Sequence, residues 1–397
     1  MHTAYKRKIA AACALMMLFY GGLVTNGFAV YQPFIISENG FTNAQASLIL
    51  TVRNLASFLA MLLAGVCYRK LGLKRGIILS GLCGGAGLIL FALAGDSLPV
   101  NCLAGLLLGV PFGIGATIPM SILVERTFTE EKKRVLGLCA AMTGLSTLGI
   151  PSGITAVIER FGLKTAFMGE GILFLSVTVV VFWLLRELPA YAESAEAAPE
   201  GPSADTGLRP LTKKQAPLMG AVAVLCGAVG FVGCTNLSVL CTTEGISPQG
   251  AALAVSVFGI TLTVSKALYG FVSEKLGTVR CNWLYGGILI AGLLLTTRIQ
   301  RGTLWMLLSM AVYAIGLATA TVGLTVWAGE LAPAGQHSRL ARLFQLGYMG
   351  GGLLFAYMPG VMADAFGSYV PAYLVLAGFA LLFTLGIGYI YQRAREK

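Results

Sequence analysis

Charge is scarce in this chain. Only 11% of its 397 residues are Asp, Glu, Lys or Arg, against about a quarter in soluble domains. So few polar groups cannot cover the surface of a water-soluble protein of this length. Histidine occurs only at positions 2 and 337. No phosphate-binding loop, nucleophile motif or metal-ligand spacing is present, so the sequence offers no catalytic set and implies no cofactor, metal or nucleotide as energy source. The nine cysteines (13, 67, 83, 102, 139, 226, 234, 241 and 281) are odd in number, without a C-x-x-C pair or a nearby histidine. Lying mostly in apolar segments, they read as small hydrophobes and not as a disulfide or metal set.

What the chain has instead is apolar length. Hydrophobic residues make up 56%, glycine contributes 51 residues and the mean hydropathy is +0.80. Apolar runs of about 18 residues or more recur from end to end, each long enough to cross the hydrocarbon core as a helix. They predict an all-α polytopic membrane protein with spans near 9–33, 43–67, 76–95, 99–124, 135–158, 165–186, 217–241, 248–273, 281–297, 303–328, 341–363 and 369–391. The first follows a basic start (Lys6, Arg7, Lys8) like that of a signal peptide, but runs on to Phe34 without a small-residue cleavage site. It is expected to remain as a span. Residues 188–216, rich in Ala, Glu, Pro, Gly and Ser, bury almost nothing and predict a flexible cytoplasmic linker. It separates six-helix halves at 1–187 and 217–397.

The formal net charge of +11 raises nucleic acid as a partner, and the position of the cations excludes it. With both termini on the cytoplasmic side, 22 of the 28 Lys and Arg residues fall in inner tails and connections. Only Arg160, Lys164, Arg298 and Arg301 fall outside. This asymmetry sets the orientation in a cell membrane by the positive-inside rule, and the basic balance answers to lipid headgroups. Arg53 and Lys266 remain, both inside spans.

A shift of 205 residues brings the halves into partial register. Gly65 meets Gly270, Lys70 meets Lys275, Leu71-Gly72 meets Leu276-Gly277, Arg75 meets Arg280, Glu125 meets Glu330, Arg134 meets Arg339, and Phe161-Gly162 meets Phe366-Gly367. One offset fitting separate regions points to duplication, and parallel repeats of this kind imply a binding site between halves near the midplane.

At this point the sequence resembles the major facilitator superfamily, whose signature is a G-x-x-x-[DE]-[RK]-x-G-[RK] loop after spans 2 and 8. GFVSEKLGT fits through Gly270, Glu274, Lys275 and Gly277, while the first copy, with Gly65, Lys70 and Gly72, has Arg69 where the acid belongs. The resemblance implies twelve helices in two pseudo-symmetric halves and transport by alternating access, with one chain as the working unit. The acid of the loop helps latch neighbouring helices, so the latch is expected in the second half. GLSTLGIPSG, residues 144–153, is similar to the glycine-proline motif of antiporters in the superfamily, and close helix packing through small residues accounts for it equally well.

A narrower resemblance, to the monocarboxylate transporters and the oxalate/formate antiporter branch, rests on SKALYGFVSEKLG. There a cation four residues before the motif glycine binds the substrate carboxylate, and Lys266 stands in that place before Gly270. The branch has Arg more often than Lys, and Leu262 stands where monocarboxylate transporters carry an acid. Residues 343–362 lack the span 11 lysine of oxalate carriers.

A charge near mid-membrane costs about 2.5–3.5 kcal/mol on insertion scales and normally finds a partner. Arg53 is expected there, either satisfied by neighbouring spans or facing the cavity. Lys266, one turn before the loop, either snorkels to the boundary or meets substrate. Glu125, Glu330, Glu274, Glu159 and Asp364 sit at span ends, and Glu170 is expected about a turn inside span 6, pairing with outer cations such as Lys164 or taking part in proton coupling. None is expected at the depth of Arg53. Two cavity cations without an acid predict a small carboxylate-bearing anion as substrate. Tyr20, Asn26 and Tyr31 of span 1, Asn236 of span 7, Tyr313 of span 10, and Gln345 and Tyr348 of span 11 are candidates to complete the site, unless they bond neighbouring helices. Exchange and proton symport both remain open. Proton-driven drug export would call for an acid deep in spans 1, 4, 7 or 10, which have none between their ends. A membrane sensor would call for a soluble extension, and a channel for a filter loop.

Overall fold

The computed structural model describes residues 2–128, 132–148, 150–186, 211, 215–332 and 337–395. Among them every element is helical. The chain divides into two compact units, Met1–Ala198 and Pro199–Lys397. Of the expected linker at 188–216, only residues 211, 215 and 216 are described.

The first unit begins with α1 (His2–Met16). The chain then widens into π-type winding over Met17–Gly27, tightens through Phe28–Val30 and ends in α2 (Gln32–Asn39). There follow α3 (Asn43–Leu71), α4 (Leu73–Ala94), α5 (Leu98–Val110), a π-wound turn at Pro111–Gly115, α6 (Thr117–Thr127), α7 (Lys132–Leu145), α8 (Ile150–Phe161) and α9 (Leu163–Leu184). The second unit runs α10 (Ala216–Gly227), a π-wound Ala228–Val232, α11 (Gly233–Thr235), α12 (Leu237–Thr243), α13 (Pro248–Leu276), α14 (Thr278–Thr296), α15 (Thr303–Leu331), α16 (His337–Leu354), α17 (Met358–Phe366) and α18 (Val370–Arg395).

Eleven stretches of the described residues are helical, long and apolar enough to cross a membrane. The expected eleventh span, 341–363, is helical but divided into α16 and α17. Pro359, at the start of α17, cannot donate to the carbonyl four residues back and its ring crowds that turn. Pro151 opens α8 in the same manner, dividing the expected span 135–158 after Leu145.

The repeat is physical as well as textual. Helices α3 and α13 have 29 residues each, and their bounds superpose under the 205-residue shift. Thr42 caps α3, accepting from Gln45 N at 3.2 Å, and Ser247, its equivalent, caps α13 by accepting from Gly250 N at 3.2 Å. Both helices end at a glycine with positive φ, 84° at Gly72 and 79° at Gly277. That conformation suits glycine, and it lets α4 and α14 start after a one-residue corner. The exposed apolar stripe of α3 (Leu48, Leu55, Leu59, Leu63, Val66) matches that of α13 (Leu253, Ile260, Val264, Leu268, Phe271) position for position. The π-wound stretch of the second unit likewise falls at the equivalent of residues 23–27. Such windings recur at functional sites.

Candidate functional site

In the first unit Arg53 lies two residues before Leu55, so about 200° around α3 from the apolar stripe at 3.6 residues per turn. Only 1% of it is exposed. Nη1 donates to the Val24 carbonyl at 2.9 Å. Nε and Nη2 donate to Asn54 Oδ1 at 3.3 and 3.0 Å, and the guanidinium lies 5.2 Å from the centroid of the Phe28 ring. All these partners are neutral. Three of the five guanidinium N–H groups are thereby used, and two are left over. Gly109 lets α5 press against this turn, since a Cβ there would come within 2.3 Å of the Arg53 carbonyl.

Beside Arg53 is a crevice too narrow for a water molecule, lined among others by Val24, Phe28, Leu108 and Glu170. This placement corrects the expectation for Glu170. Its carboxylate accepts the Tyr31 hydroxyl, not an outer-end cation, and it borders the same crevice whose Val24 and Phe28 hold Arg53. The reason is geometric. Glu170 is seven residues into α9 and Arg53 ten into α3, a difference of about 4.5 Å along the axes at 1.5 Å per residue. The two helices start at the same end of the unit, and helical side chains lean toward the N-terminus, so the longer arginine closes that gap. No ion pair joins Arg53 to Glu170.

The other candidates of span 1 are engaged in packing. Tyr20 is buried, donates to Thr178 Oγ1 at 2.9 Å and stacks on Phe174 at 5.1 Å. Asn26 Nδ2 donates to the Thr143 carbonyl and to Ser146 Oγ, both at 3.0 Å, tying span 1 to the last turn of α7 and the residue after it. Tyr31 stacks on Phe167 at 4.0 Å.

In the second unit Lys266 is exposed and lies two residues beyond Val264, so about 200° around α13 from its apolar stripe. It is ten residues from the end of α13, roughly 15 Å, which is deeper than the one turn expected because the helix runs on to Leu276. Among the described residues it has no carboxylate partner. Its ammonium is within electrostatic reach of Cys234, and Cys234 is within the same reach of Tyr313 and Tyr348. The structure therefore gathers Lys266, Tyr313 and Tyr348 about a cysteine that sequence reasoning passed over as a small hydrophobe. Tyr313 donates to the Val229 carbonyl at 2.9 Å and packs on Phe258 at 5.0 Å. Tyr348 fits against α10 because Gly227 and Gly230 lack a Cβ, which at Gly227 would lie 1.8 Å from the Tyr348 carbonyl oxygen. Asn236 turns back to the Val232 carbonyl at 2.9 Å, and Gln345 is exposed on α16.

The loop motif divides unevenly. Gly72 and Gly277 form the corners described above. A Cβ placed at Gly65 or Gly270 would meet nothing within 4 Å, and Lys70 is exposed. Lys275 lies over the Phe271 ring at 4.4 Å. Glu274 is exposed, and no hydrogen bond or ion pair joins it to another described residue. The carboxylate that ties helices together at this end of the unit is Glu330. It accepts from Thr278 Oγ1 at 2.5 Å and from the Tyr391 hydroxyl at 2.7 Å, joining α15 to α14 and α18.

Residues 12–243 match the family model described as Major Facilitator Superfamily. Among curated proteins the chain is similar to Monocarboxylate transporter 11 of Mus musculus, 26% identical over 387 residues, which cover 94% of this chain and 84% of that protein. It is 25% identical to Monocarboxylate transporter 11 of Homo sapiens over 272 residues, 67% of this chain and 55% of that protein, so the match spans about half the human relative. The fold is similar to that of a solved D-xylose-proton symporter, with a TM-score of 0.76 over 97% of both chains at 12% identity.

Proposed function

The chain belongs to the Major Facilitator Superfamily, and from that premise we propose that it carries a small carboxylate-bearing anion across the membrane by alternating access. Lys266 carries this reading. It is a cation inside a membrane helix, turned away from the apolar stripe, within reach of the cysteine that Tyr313 and Tyr348 also approach, and without a carboxylate partner among the described residues. A charge so placed is stabilised by an anion that arrives from water. The similarity to proteins named monocarboxylate transporters supports the same substrate class. Tyr313 and Tyr348 frame the anion, with Lys266 as its movable point charge. The basic tails and loops face the cytoplasm in this proposal.

Arg53 takes a different part from the one its charge alone suggests. Held by neutral groups beside the crevice that Glu170 lines, it balances that carboxylate without pairing to it. Glu170, a carboxylate lining a crevice too narrow for water and without an ion pair among the described residues, is the group on which proton symport, as against exchange, would run. Glu170 takes up the proton and Arg53, at the edge of the same crevice, senses the change of charge.

A thermal-shift screen of purified protein against organic anions and cations tests the substrate class. Ligand at a hundred times its Kd stabilises by about 2.7 kcal/mol. Short mono- and dicarboxylates are expected to raise the melting temperature. Stabilisation by lipophilic cations alone would overturn the reading in favour of drug export.

A further inference from the structure

A groove between α14 and α18 takes no part in the carboxylate reading. It encloses about 620 Å³, within the roughly 300–1,000 Å³ usual for small-ligand sites. Val279 and Trp283, one turn apart, form the α14 wall. Leu385, Gly388, Tyr389, Gln392 and Arg395 form the α18 wall, and their spacing of three and four residues places them on one face. Gly388 keeps the floor open, since a Cβ there would lie 2.8 Å from Trp283 Cζ2.

The lining is graded along the helix. Leu385, Gly388 and Trp283 make one end apolar, and Gln392 and Arg395 make the other polar, over roughly 15 Å at 1.5 Å per residue. Trp283 and Tyr389 are 48% and 49% exposed, the pairing of residues enriched where a membrane meets water. Arg393 lies by Tyr389, its Nε donating to the hydroxyl at 3.3 Å. Arg280 is exposed on the first turn of α14, where unpaired backbone N–H groups add partial positive charge. The carboxylate of Glu330 at this end is already held by Thr278 and Tyr391.

We propose that this groove binds one anionic phospholipid, with its phosphate at Gln392 and Arg395 and an acyl chain along Trp283, Gly388 and Leu385. A free phosphate would use the basic end and leave the apolar length unfilled. A second copy of the chain seated here in the same membrane orientation would set Arg395 against Arg395, because a two-fold contact is self-complementary.

Native mass spectrometry of the full chain in detergent, titrated with phosphatidylglycerol, phosphatidylcholine or inorganic phosphate, tests this. Phosphatidylglycerol is expected to be retained at one copy in preference to phosphatidylcholine. Arg395→Gln should lower that preference roughly fivefold, the effect of one basic residue near a charged lipid surface. Gly388→Leu should abolish retention by filling the floor. Equal retention of both lipids, competition by inorganic phosphate alone, or a dimer lost in Gly388→Leu without lipid dependence would each overturn the proposal. Arg395→Gln, at an exposed helix end, keeps the test decisive if Gly388→Leu folds poorly.

Discussion

Lys266→Gln separates a ligand role from a structural one. Lys266 is exposed as a residue on α13, and no carboxylate among the described residues depends on its ammonium, so its removal leaves no ion pair broken. Stability should therefore change by no more than about 0.5 kcal/mol, the usual range for substitutions away from packed or paired groups. Binding should respond differently. A hydrogen bond to a charged group is worth about 1.5–3 kcal/mol, which corresponds to a loss of about 10- to 150-fold in affinity. Binding of a labelled short monocarboxylate to purified protein, uptake into proteoliposomes and a melting curve on the same preparation supply the three readouts. Expected are weakened binding, slowed uptake and an unchanged melting temperature. Lys266→Arg keeps the charge and should recover part of the affinity, because a planar fork replaces a point charge at a site framed by Tyr313 and Tyr348. A Lys266→Gln protein that binds and transports as well as the wild type would refute the assignment. One that melts early would show that Lys266 is a packing residue instead.

Three further outcomes follow from the geometry. Arg53→Met leaves the Val24 carbonyl and the Asn54 amide oxygen without their donor. It should destabilise the protein by about 2–6 kcal/mol, at about 1–3 kcal/mol for each of the two orphaned groups, read as a lower melting temperature in detergent with or without substrate. Glu170→Gln removes the carboxylate that accepts from Tyr31. Uptake driven by an inward proton gradient should fall to the rate seen without the gradient, while substrate binding persists, and gradient-driven uptake equal to wild type would end the coupling proposal. Gly351→Ala would set a Cβ 1.8 Å from the Val224 carbonyl oxygen, forcing α16 from α10 at a cost of about 1–3 kcal/mol. Gly287→Ala, with nothing within 4 Å, should melt as the wild type does.

Hydropathy placed the helices, because a span must satisfy its own backbone and so writes its length into the sequence. It did not place the breaks. Pro151 and Pro359 were visible signals, but long apolar runs on either side made spans 135–158 and 341–363 read as unbroken. Side-chain destinations were less legible. Tyr20 and Asn26 reach Thr178 and Thr143, more than a hundred residues away, and nothing in local spacing names such partners. Glu170 was set too near the outer end because its depth was judged from the residue's rank in the helix, without the lean and length of the side chains around it. The loop acid Glu274 matches a motif, whereas Glu330, legible in the sequence as a span-end acid and repeat partner of Glu125, holds three helices together. Cys234 carries no signal at all, since a cysteine among apolar residues reads as packing until its neighbours are known.

The repeat also explains why one half does not predict the chemistry of the other. Under the 205-residue shift the caps, corners and apolar stripes of α3 and α13 coincide, so the surroundings of a residue at a given rank are set by the scaffold. The two cations break that correspondence. Arg53 has Phe258 as its equivalent, which packs against Tyr313, and Lys266 has Met61. Each half thus carries a cation where the other carries an apolar side chain, at ranks eight residues apart, or about 12 Å along the helix. Two identical halves would carry like charges at the same rank in the helix, and both would need the same partners. In the proposed cycle, a buried arginine held by neutral groups and an exposed lysine divide the work between coupling and binding. An exchange of positions, Arg53→Phe with Phe258→Arg, should therefore fail to restore transport even if both variants fold, since Phe258 has no counterpart of Glu170 beside it: the equivalent of Glu170 is Val375, an apolar residue of α18.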